Sequence, residues 1–255
     1  MALPNSNRDN AEALYKKGTV IATRVGVTVL FCITMKHIFA LLLCVAAVSA
    51  AAQDNWYVPS EVGIKFKYAV YDQSGQIINY MVTKVDSVYC DSKGAWVVRQ
   101  SSTIYNSRNQ PTGSVLYAES IISNDTTYLA VNRVMTISGA KVHTWGTLIA
   151  LPSEIDELTR FAPRQLQCSI SFAGMRFNTV TSIEDITLMN QEDLFVDNRI
   201  YDALKFSYNT TTKVLGRNEN TFVTTWVAKE VGIMIAVVEN VQNGNSTTTK
   251  LISVE

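Results

Sequence analysis

The chain has 255 residues, with 22 Lys and Arg residues, 22 Asp and Glu residues and a formal net charge of zero at pH 7. A balanced composition without a basic block argues against nucleic acid and anionic membrane surfaces as partners. The length allows one large domain or two small ones.

The second of two apolar runs near the N-terminus has the order of a secretory signal. It begins with Met35-Lys36-His37, continues through an apolar core at 38–48, and ends in small residues with Ala50 and Ala52 before Gln53. Basic start, apolar core and small residues at −3 and −1 are typical of a signal peptide. We therefore interpret 35–52 as a signal peptide cleaved before Gln53, with cleavage after Ala50 as the near alternative. The mature protein is predicted to cross the inner membrane and to be periplasmic or extracellular.

The first apolar run covers residues 25–34 and is separated from the signal core only by Met35-Lys36-His37. One transmembrane helix over both runs would place Lys36 near the bilayer centre, at a cost of about 2.5–3.5 kcal/mol. We therefore interpret 1–34 as upstream sequence included through a start-site error, with an uncleaved N-terminal anchor as the alternative. Because no membrane-length apolar run follows Gln53, the mature chain is not predicted to span a membrane.

The predicted mature part, 53–255, carries 17 Lys and Arg and 20 Asp and Glu, so its charge is about −3. Its two cysteines are Cys90 and Cys168. Export permits a disulfide between them. A β domain of this size does not need one, so we expect two separate thiols, with Cys168 buried and inert.

The first half of the mature chain alternates apolar and polar residues between short turns. Strands are predicted at 64–70, 77–89, 95–105, 114–122 and 127–136, with Gly75 and Gly94 in two of the turns. Period-two alternation broken by Gly, Asn and Asp at regular spacing is typical of an antiparallel meander.

Residues 144–163 interrupt this pattern. Ser153 with Asp156 three residues later predicts at most one short helix near 153–160. The segment is also a candidate joint between two halves of the domain. Strands are predicted to resume at 165–172, 176–187 and 194–197.

The C-terminal stretch, 200–254, has the clearest strand pattern. The face with Phe222, Thr224, Trp226 and Ala228 is predicted to pack in the core, and 233–238 is apolar on both faces. Gly232 lies where the chain turns and positive φ is often needed. We therefore predict structural roles for Trp226, Gly232, Phe206 and Phe222. The fold is predicted to be all-β, with an antiparallel meander forming a large curved sheet or a partly closed barrel in a single domain.

Three segments carry a resemblance to a known family. They are Tyr68-Ala69-Val70-Tyr71-Asp72 with Gly75, Lys84-Val85-Asp86-Ser87-Val88, and Trp226-Val227-Ala228-Lys229-Glu230-Val231-Gly232. On these the chain resembles the TapB-like family of secreted β-proteins, a domain of unknown function, over about 61–255. The resemblance implies a closing hairpin after the tryptophan motif and supplies no catalytic residues. The chain departs from the family before Tyr201, where Leu194-Phe195-Val196-Asp197 replaces an expected Pro-x-Gly-Thr-Phe segment.

Residues for catalysis or metal binding are sparse. His143 is the single histidine after the signal peptide, and a Ser-His-Asp or Cys-His site would have to use it. One histidine and two cysteines cannot complete a zinc site. Glu192, Asp193 and Asp197 are the nearest approach to a calcium site, but their spacing favours a solvated turn. The sequence therefore predicts no enzyme activity, no catalytic residue, no cofactor and no metal.

Aromatic residues are the remaining candidates for a binding site. Trp96, Trp145, Tyr68 and Tyr80 are predicted to line a concave surface for an apolar or amphiphilic ligand, lipid-like or glycan. The simpler interpretation, which we favour for the aromatic residues themselves, is that they fill the core of a curved sheet. The leading functional hypothesis is therefore a ligand-binding module. The second is an envelope assembly or surface protein that offers a sheet edge or loops to another protein.

Overall fold

Every regular element in the described part of the chain is a β-strand. The computed structural model describes residues 56–137, 139–214 and 216–255, so the predicted upstream extension and signal peptide lie outside the described residues. The strands are β1 (Lys65–Asp72), β2 (Ile77–Cys90), β3 (Trp96–Asn106), β4 (Pro111–Ser123), β5 (Thr126–Ile137), β6 (Ala140–Trp145), β7 (Ala150–Pro152), β8 (Arg164–Phe172), β9 (Met175–Val196), β10 (Arg199–Val214), β11 (Arg217–Ala228), β12 (Gly232–Asn240) and β13 (Ser246–Val254).

These strands pair antiparallel in one sheet that closes on itself. The order is β4-β3-β2-β1-β13-β12-β11-β10-β9-β8-β6-β5, and β5 pairs back onto β4. Twelve of the strands in the described residues therefore form a closed barrel, and β7 is an extra strand beside the first residues of β5. The predicted all-β antiparallel fold is confirmed. The barrel is completely closed and not partly closed, because β4 pairs with β3 on one side and with β5 on the other.

The segment at 144–163 contains no helix among its described residues. Strand β7 lies within it, and a turn follows in which the Asp156 carboxylate accepts a hydrogen bond of 2.8 Å from the Thr159 hydroxyl. Ser153 does not act as a helix cap; its backbone N–H donates to the Asp125 carbonyl. Farther along, the Phe161 ring makes an edge-to-face contact of 5.3 Å with Phe206. The segment therefore covers part of the barrel core.

The barrel interior is filled by large side chains. Phe66, Tyr68, Met81, Phe206 and Met234 are each at most 1% exposed. Phe206, for which a structural role is predicted, is among these buried side chains. Because such residues point inward from many strands, they pack against one another, as side chains do in small barrels.

The face predicted to be buried on β11 is the wrong one. Thr221, Val223, Thr225 and Val227 are buried, whereas Phe222 is 39% exposed and Trp226 is half-buried. The interior accepts threonines because they hydrogen-bond to neighbours; the hydroxyls of Thr221 and Thr210, for example, are 2.7 Å apart.

Trp226 is held on the outer face by polar contacts instead. It lies opposite Lys205 of β10, whose ammonium group is 4.7 Å from the indole centroid. The indole N–H donates to the Glu192 carboxylate. A cation over an indole face is favourable even when partly solvated, so this ring stabilises the surface of the barrel and not its core.

The turn into β12 agrees with the prediction in one respect and differs in another. Gly232 has a φ of 86°, which confirms the positive φ expected there. The following strand is not covered on both faces, because Ile235 and Val237 are only half-buried. A bulge at Trp226/Val227 in the β11–β12 pairing shifts the register beside it.

The two cysteines of the barrel differ in accessibility. Neither is in a disulfide; Cys90 is exposed, and Cys168 is buried as predicted. Burial raises the pKa of the Cys168 thiol, although hydrogen bonds with Thr144 and Thr179 act in the opposite direction. Reactivity follows the accessible thiolate.

We therefore expect an alkylating reagent to modify Cys90 in the native protein and Cys168 only after unfolding. Peptide mapping by mass spectrometry, with and without denaturant, measures both sites. Equal labelling of the two thiols in the native state would contradict the burial of Cys168.

A buried ionisable group makes stability sensitive to alkaline pH. Burial raises the pKa of the Tyr208 phenol well above its ordinary value, while the nearby Arg133 cation lowers it less. The same burial lowers the pKa of Arg133 to about 10, so Arg133 remains a cation at neutral pH. The Tyr208 hydroxyl makes no hydrogen bond within the described part of the chain.

Unfolding should therefore become easier as the pH rises above about 8.5, whereas the lowered pKa of Arg133 acts in the opposite direction above about pH 10. In the unfolded chain Cys168 loses its proton from about pH 8.5 and Tyr208 from about pH 10, whereas both stay protonated longer when folded. We expect Tyr208→Phe to become more stable relative to the wild-type protein as the pH rises above about 10, while stability at pH 7 changes by less than about 1 kcal/mol. Denaturant titrations at several pH values measure this, and an unchanged alkaline slope in the variant would contradict it.

Candidate functional site

The longest strand of the barrel is paired on both sides over only part of its length. Strand β9 has 22 residues, and β8 pairs with the part from Met175 to Ile183. From Glu184 to Val196, β9 pairs with β10 alone among the described residues. We call this second part, 184–196, the open edge of β9. Its backbone groups that point away from β10 can accept another strand.

Side chains along the open edge are mostly accessible to solvent. Glu184, Asp185, Thr187, Asn190 and Gln191 are exposed, and Met189 is 54% exposed. At the end of the hairpin, Phe195 and Ile200 lie directly opposite each other and are 67% and 69% exposed. Two large apolar side chains exposed as a cross-strand pair are typical of contact surfaces.

The hairpin extends past its neighbours because of its turn and its register. Asp197 and Asn198 form the turn with φ values of 51° and 62°, a conformation that Asp and Asn tolerate better than most residues. Strand β11 ends its pairing with β10 where Ala228 meets Ala203. Residues 199–202 therefore pair only with β9 among the described strands, and the hairpin end is two strands wide.

The open edge is strongly acidic. It carries four carboxylates, Glu184, Asp185, Glu192 and Asp193, and a fifth, Asp197, is in the turn that follows. No Lys or Arg occurs between Arg176 and Arg199. Asp193 also lies directly opposite Asp202 of β10, and both are exposed. Like charges at opposed positions destabilise a sheet. Asp202 also helps to raise the pKa of Tyr57 to about 12, although burial of that phenol contributes more.

A bulge bends the strand at the start of the open edge. Asp185 has a φ of 57°, and the pairing register with β10 shifts between Ser207 and Asn209. The Asp185 carboxylate accepts a hydrogen bond of 2.9 Å from the Asn209 side chain. Bulges and charged residues are the means by which natural proteins limit unwanted pairing at an edge. The bulge and the charges thus restrict which strands can pair with the open edge.

The aromatic residues predicted to bind a ligand are not brought together. Tyr68 is buried in the interior, where its hydroxyl donates to the Ile233 carbonyl, whereas Tyr80 is on the outer face beneath the Lys67 ammonium group. Trp96 contacts Trp56 with ring centroids 5.7 Å apart. Trp145 is on the outer face, where its indole N–H donates to Gln167. These four residues do not share one surface.

The other candidates from the sequence also lie at the surface. His143 is exposed and makes a hydrogen bond of 2.8 Å with the Asn132 side chain. Glu192 contacts Trp226, and the Asp197 carboxylate accepts from the Val254 backbone N–H. Within the described residues, no group of three His, Cys, Asp or Glu side chains could hold a metal ion. The described part of the chain contains no helix that is long and apolar enough to cross a bilayer.

Comparison with known proteins gives a family and a fold. A family model described as DUF3108-like matches residues 61–249. This match confirms the predicted relation to a domain of unknown function. The TapB-like name is not confirmed. The search of curated proteins gives no match.

Two solved structures share the fold. A protein assigned as a lipoprotein from Parabacteroides distasonis has a TM-score of 0.63 and 15% identity, covering 80% of this chain and 100% of that one. A protein assigned as exported, with a YmcC-like fold, from Bacteroides fragilis has a TM-score of 0.57 and 14% identity, covering 76% of this chain and 96% of that one. At these identities the likeness shows the fold alone.

Proposed function

The chain belongs to the DUF3108-like family, and we propose that it is an exported, non-enzymatic protein-interaction domain. Its open edge of β9 binds an extended segment of a partner protein by strand addition. In this mode, backbone hydrogen bonds supply affinity and alternate side chains supply specificity.

One observation carries the proposal. Among the described strands, other stretches with a neighbour on one side only are short, such as 86–90 of β2, whereas 184–196 of β9 has a strand on one side only over its whole length. A stretch of this length that is paired on one side only is rare in a closed barrel, because closure is the usual way to remove edges. A partner strand there would complete the pairing.

Charge and apolar contacts define the partner. Because Asp193 and Asp202 form an acidic pair, a bound strand with Lys or Arg would relieve their repulsion. Phe195 is two residues beyond Asp193 and therefore lies on the same face of the sheet, with Ile200 opposite it. Both would contact an apolar side chain of the bound strand, two residues away from its Lys or Arg. The partner segment is therefore extended, basic and amphipathic.

The ligand-binding hypothesis receives less support from the geometry. An internal ligand needs a lumen, but the inward side chains Phe66, Tyr68 and Phe206 are almost completely buried. Trp96 and Trp145, which were predicted to line a ligand surface, lie at separate places on the barrel. A partner on the outside of the barrel requires no rearrangement of this core.

An envelope location suits this function. The predicted signal peptide would export the chain, and the structural relatives are assigned as a lipoprotein and an exported protein. The partner is accordingly placed among other exported or envelope proteins.

Site-specific photo-crosslinking tests the proposal. A photoreactive phenylalanine analogue at Met189, on the open edge, should cross-link to a basic, extended segment of an envelope protein in the exporting cell. The matched control is the same analogue at Val241, which is 61% exposed in the turn after β12. Equal capture of one protein from both positions, or capture through an acidic segment, would contradict the proposal.

A further inference from the structure

A row of polar and aromatic side chains crosses the outer face of the barrel over β3, β4, β5, β6 and β8. Arg99 of β3 lies opposite Glu119 of β4, which lies opposite Asn132 of β5. Asn132 lies opposite Trp145 of β6, which lies opposite Gln167 of β8. Directly opposite residues point to the same face of a sheet, so these five side chains form one continuous row.

Hydrogen bonds fix the conformation of this row. Arg99 Nε donates to Glu119 Oε1 at 2.7 Å, and Asn132 Nδ2 donates to Glu119 Oε2 at 3.0 Å. His143 Nε2 donates to Asn132 Oδ1 at 2.8 Å, because an amide oxygen can only accept. The His143 ring also contacts the Trp145 ring, with centroids 5.0 Å apart. Side chains held in this way are pre-organised for a ligand.

A shallow cleft of about 240 Å³ opens over this row. Arg99, Glu119 and Asn132 of the row line it, together with Asp86, Gln100, Tyr117, Ala118 and Val134. Two ladders change register beside it, between Val85 and Ser87 and between Glu119 and Ile121. Ligand pockets for drug-sized molecules hold roughly 300–1,000 Å³, so this cleft fits a smaller group.

The chemistry of the lining selects a neutral, hydroxyl-rich ligand. Two carboxylates and one guanidinium line the cleft, so an anion is repelled overall. Partial burial raises the pKa of Glu119, but hydrogen bonds from Asn132 and Arg99 outweigh this and leave the pKa lowered. Glu119 is therefore an acceptor, and Arg99 keeps exposed donors. Hydroxyl groups can satisfy donors and acceptors together.

An aromatic platform completes the site. Tyr117 is 57% exposed and lies opposite Val134 on the same face. The face of an exposed tyrosine offers an apolar surface beside its polar hydroxyl. We propose that this cleft binds a single neutral pyranose ring of a glycan, with its hydroxyls on Arg99, Glu119 and Asp86 and its C–H face on Tyr117. This inference is independent of strand addition at β9.

Titration monitored by amide NMR spectra tests the site. The probes are the methyl glycosides of glucose, galactose and N-acetylglucosamine, each up to about 50 mM, because single-ring ligands often bind with dissociation constants of about 1 mM or weaker. We expect saturable shifts for at least one glycoside, confined to the middle of β3, β4 and β5. The absence of saturable shifts with all three would overturn the proposal.

Two variants separate stacking from hydrogen bonding. Tyr117→Ala and Arg99→Met should each weaken binding by at least tenfold, and both replace surface side chains, so the fold should persist in thermal melts. Tyr80→Ala, which removes an outer tyrosine elsewhere on the sheet, is the matched control and should bind normally. Unaltered affinity in both cleft variants, or binding of inorganic phosphate at the same residues in place of glycosides, would overturn the assignment.

Discussion

Phe206→Ala is expected to lower the free energy of unfolding by about 3–5 kcal/mol, the usual cost of deleting a buried phenylalanine. Phe206 is completely buried and packs edge to face against Phe161. The cavity would lie beneath the segment that covers the core, where few neighbours can move inward. Urea denaturation of the purified mature protein measures the change.

Two aromatic residues on β11 provide the controls. Phe222→Ala should cost less than about 1 kcal/mol, because Phe222 is on the outer face. Trp226→Ala should fall between the two, since it loses the contacts with Lys205 and Glu192 but creates no interior cavity. If Trp226→Ala is the most destabilising of the three, the assignment of faces on β11 is wrong.

Reversing two charges on the open edge of β9 should abolish recognition of a basic strand. The probe is a peptide of about eight residues that alternates Lys and Val, the length of an ordinary strand. Glu184→Lys combined with Asp193→Lys should weaken its binding at least tenfold, which is about 1.4 kcal/mol. Both residues are exposed, so the free protein should keep its stability. Fluorescence anisotropy with labelled peptide measures the affinity.

A single charge reversal elsewhere is the control. Glu239→Lys, at an exposed position of β12, makes the same kind of change away from β9 and should leave peptide affinity unchanged. A counterpart peptide that alternates Glu and Val should bind the wild-type protein poorly and the double variant better. Equal losses in Glu239→Lys and the double variant would show that only overall charge is sensed.

Alternation in the sequence was sufficient to predict the strands but not which face of them is buried. The turn at Gly75 and the conformation of Gly232 follow from local chemistry, and both are present. On β11, either face could have been the inner one, because Val223 and Val227 alternate with Phe222 and Trp226. The choice depends on the partners Lys205 and Glu192, which come from other strands and cannot be read from β11 itself.

The candidate site depends on pairing over long distances, which sequence patterns do not reveal. Residues 176–187 and 194–197 were predicted as two strands, whereas β9 is one strand. Its open edge exists because β8 begins only at Arg164, opposite Ile183. The one local signal was the run of acids including Glu192, Asp193 and Asp197, which was interpreted as a solvated turn.

The polar row on the outer face was equally hidden. Arg99, Glu119, Asn132 and Trp145 are far apart in the sequence, and the registers of three strand pairs bring them together. His143, the one histidine that a catalytic site could have used, contacts Asn132 and Trp145. Strand periodicity places each of these residues on the outer face without identifying its neighbours.

The central claim is tested most directly by amide hydrogen exchange along β9, measured with and without the peptide that alternates Lys and Val. Strand addition predicts that exchange slows at alternate amides over 190–196, the part of the open edge beyond both register shifts with β10, because alternate N–H groups of a regular strand face its outer neighbour. Amides of β12, which already has β11 and β13 beside it, should be unaffected. The proposal would be contradicted if the peptide binds and the exchange rate of every β9 amide stays the same. It would also be contradicted if exchange slows elsewhere on the barrel and not on β9.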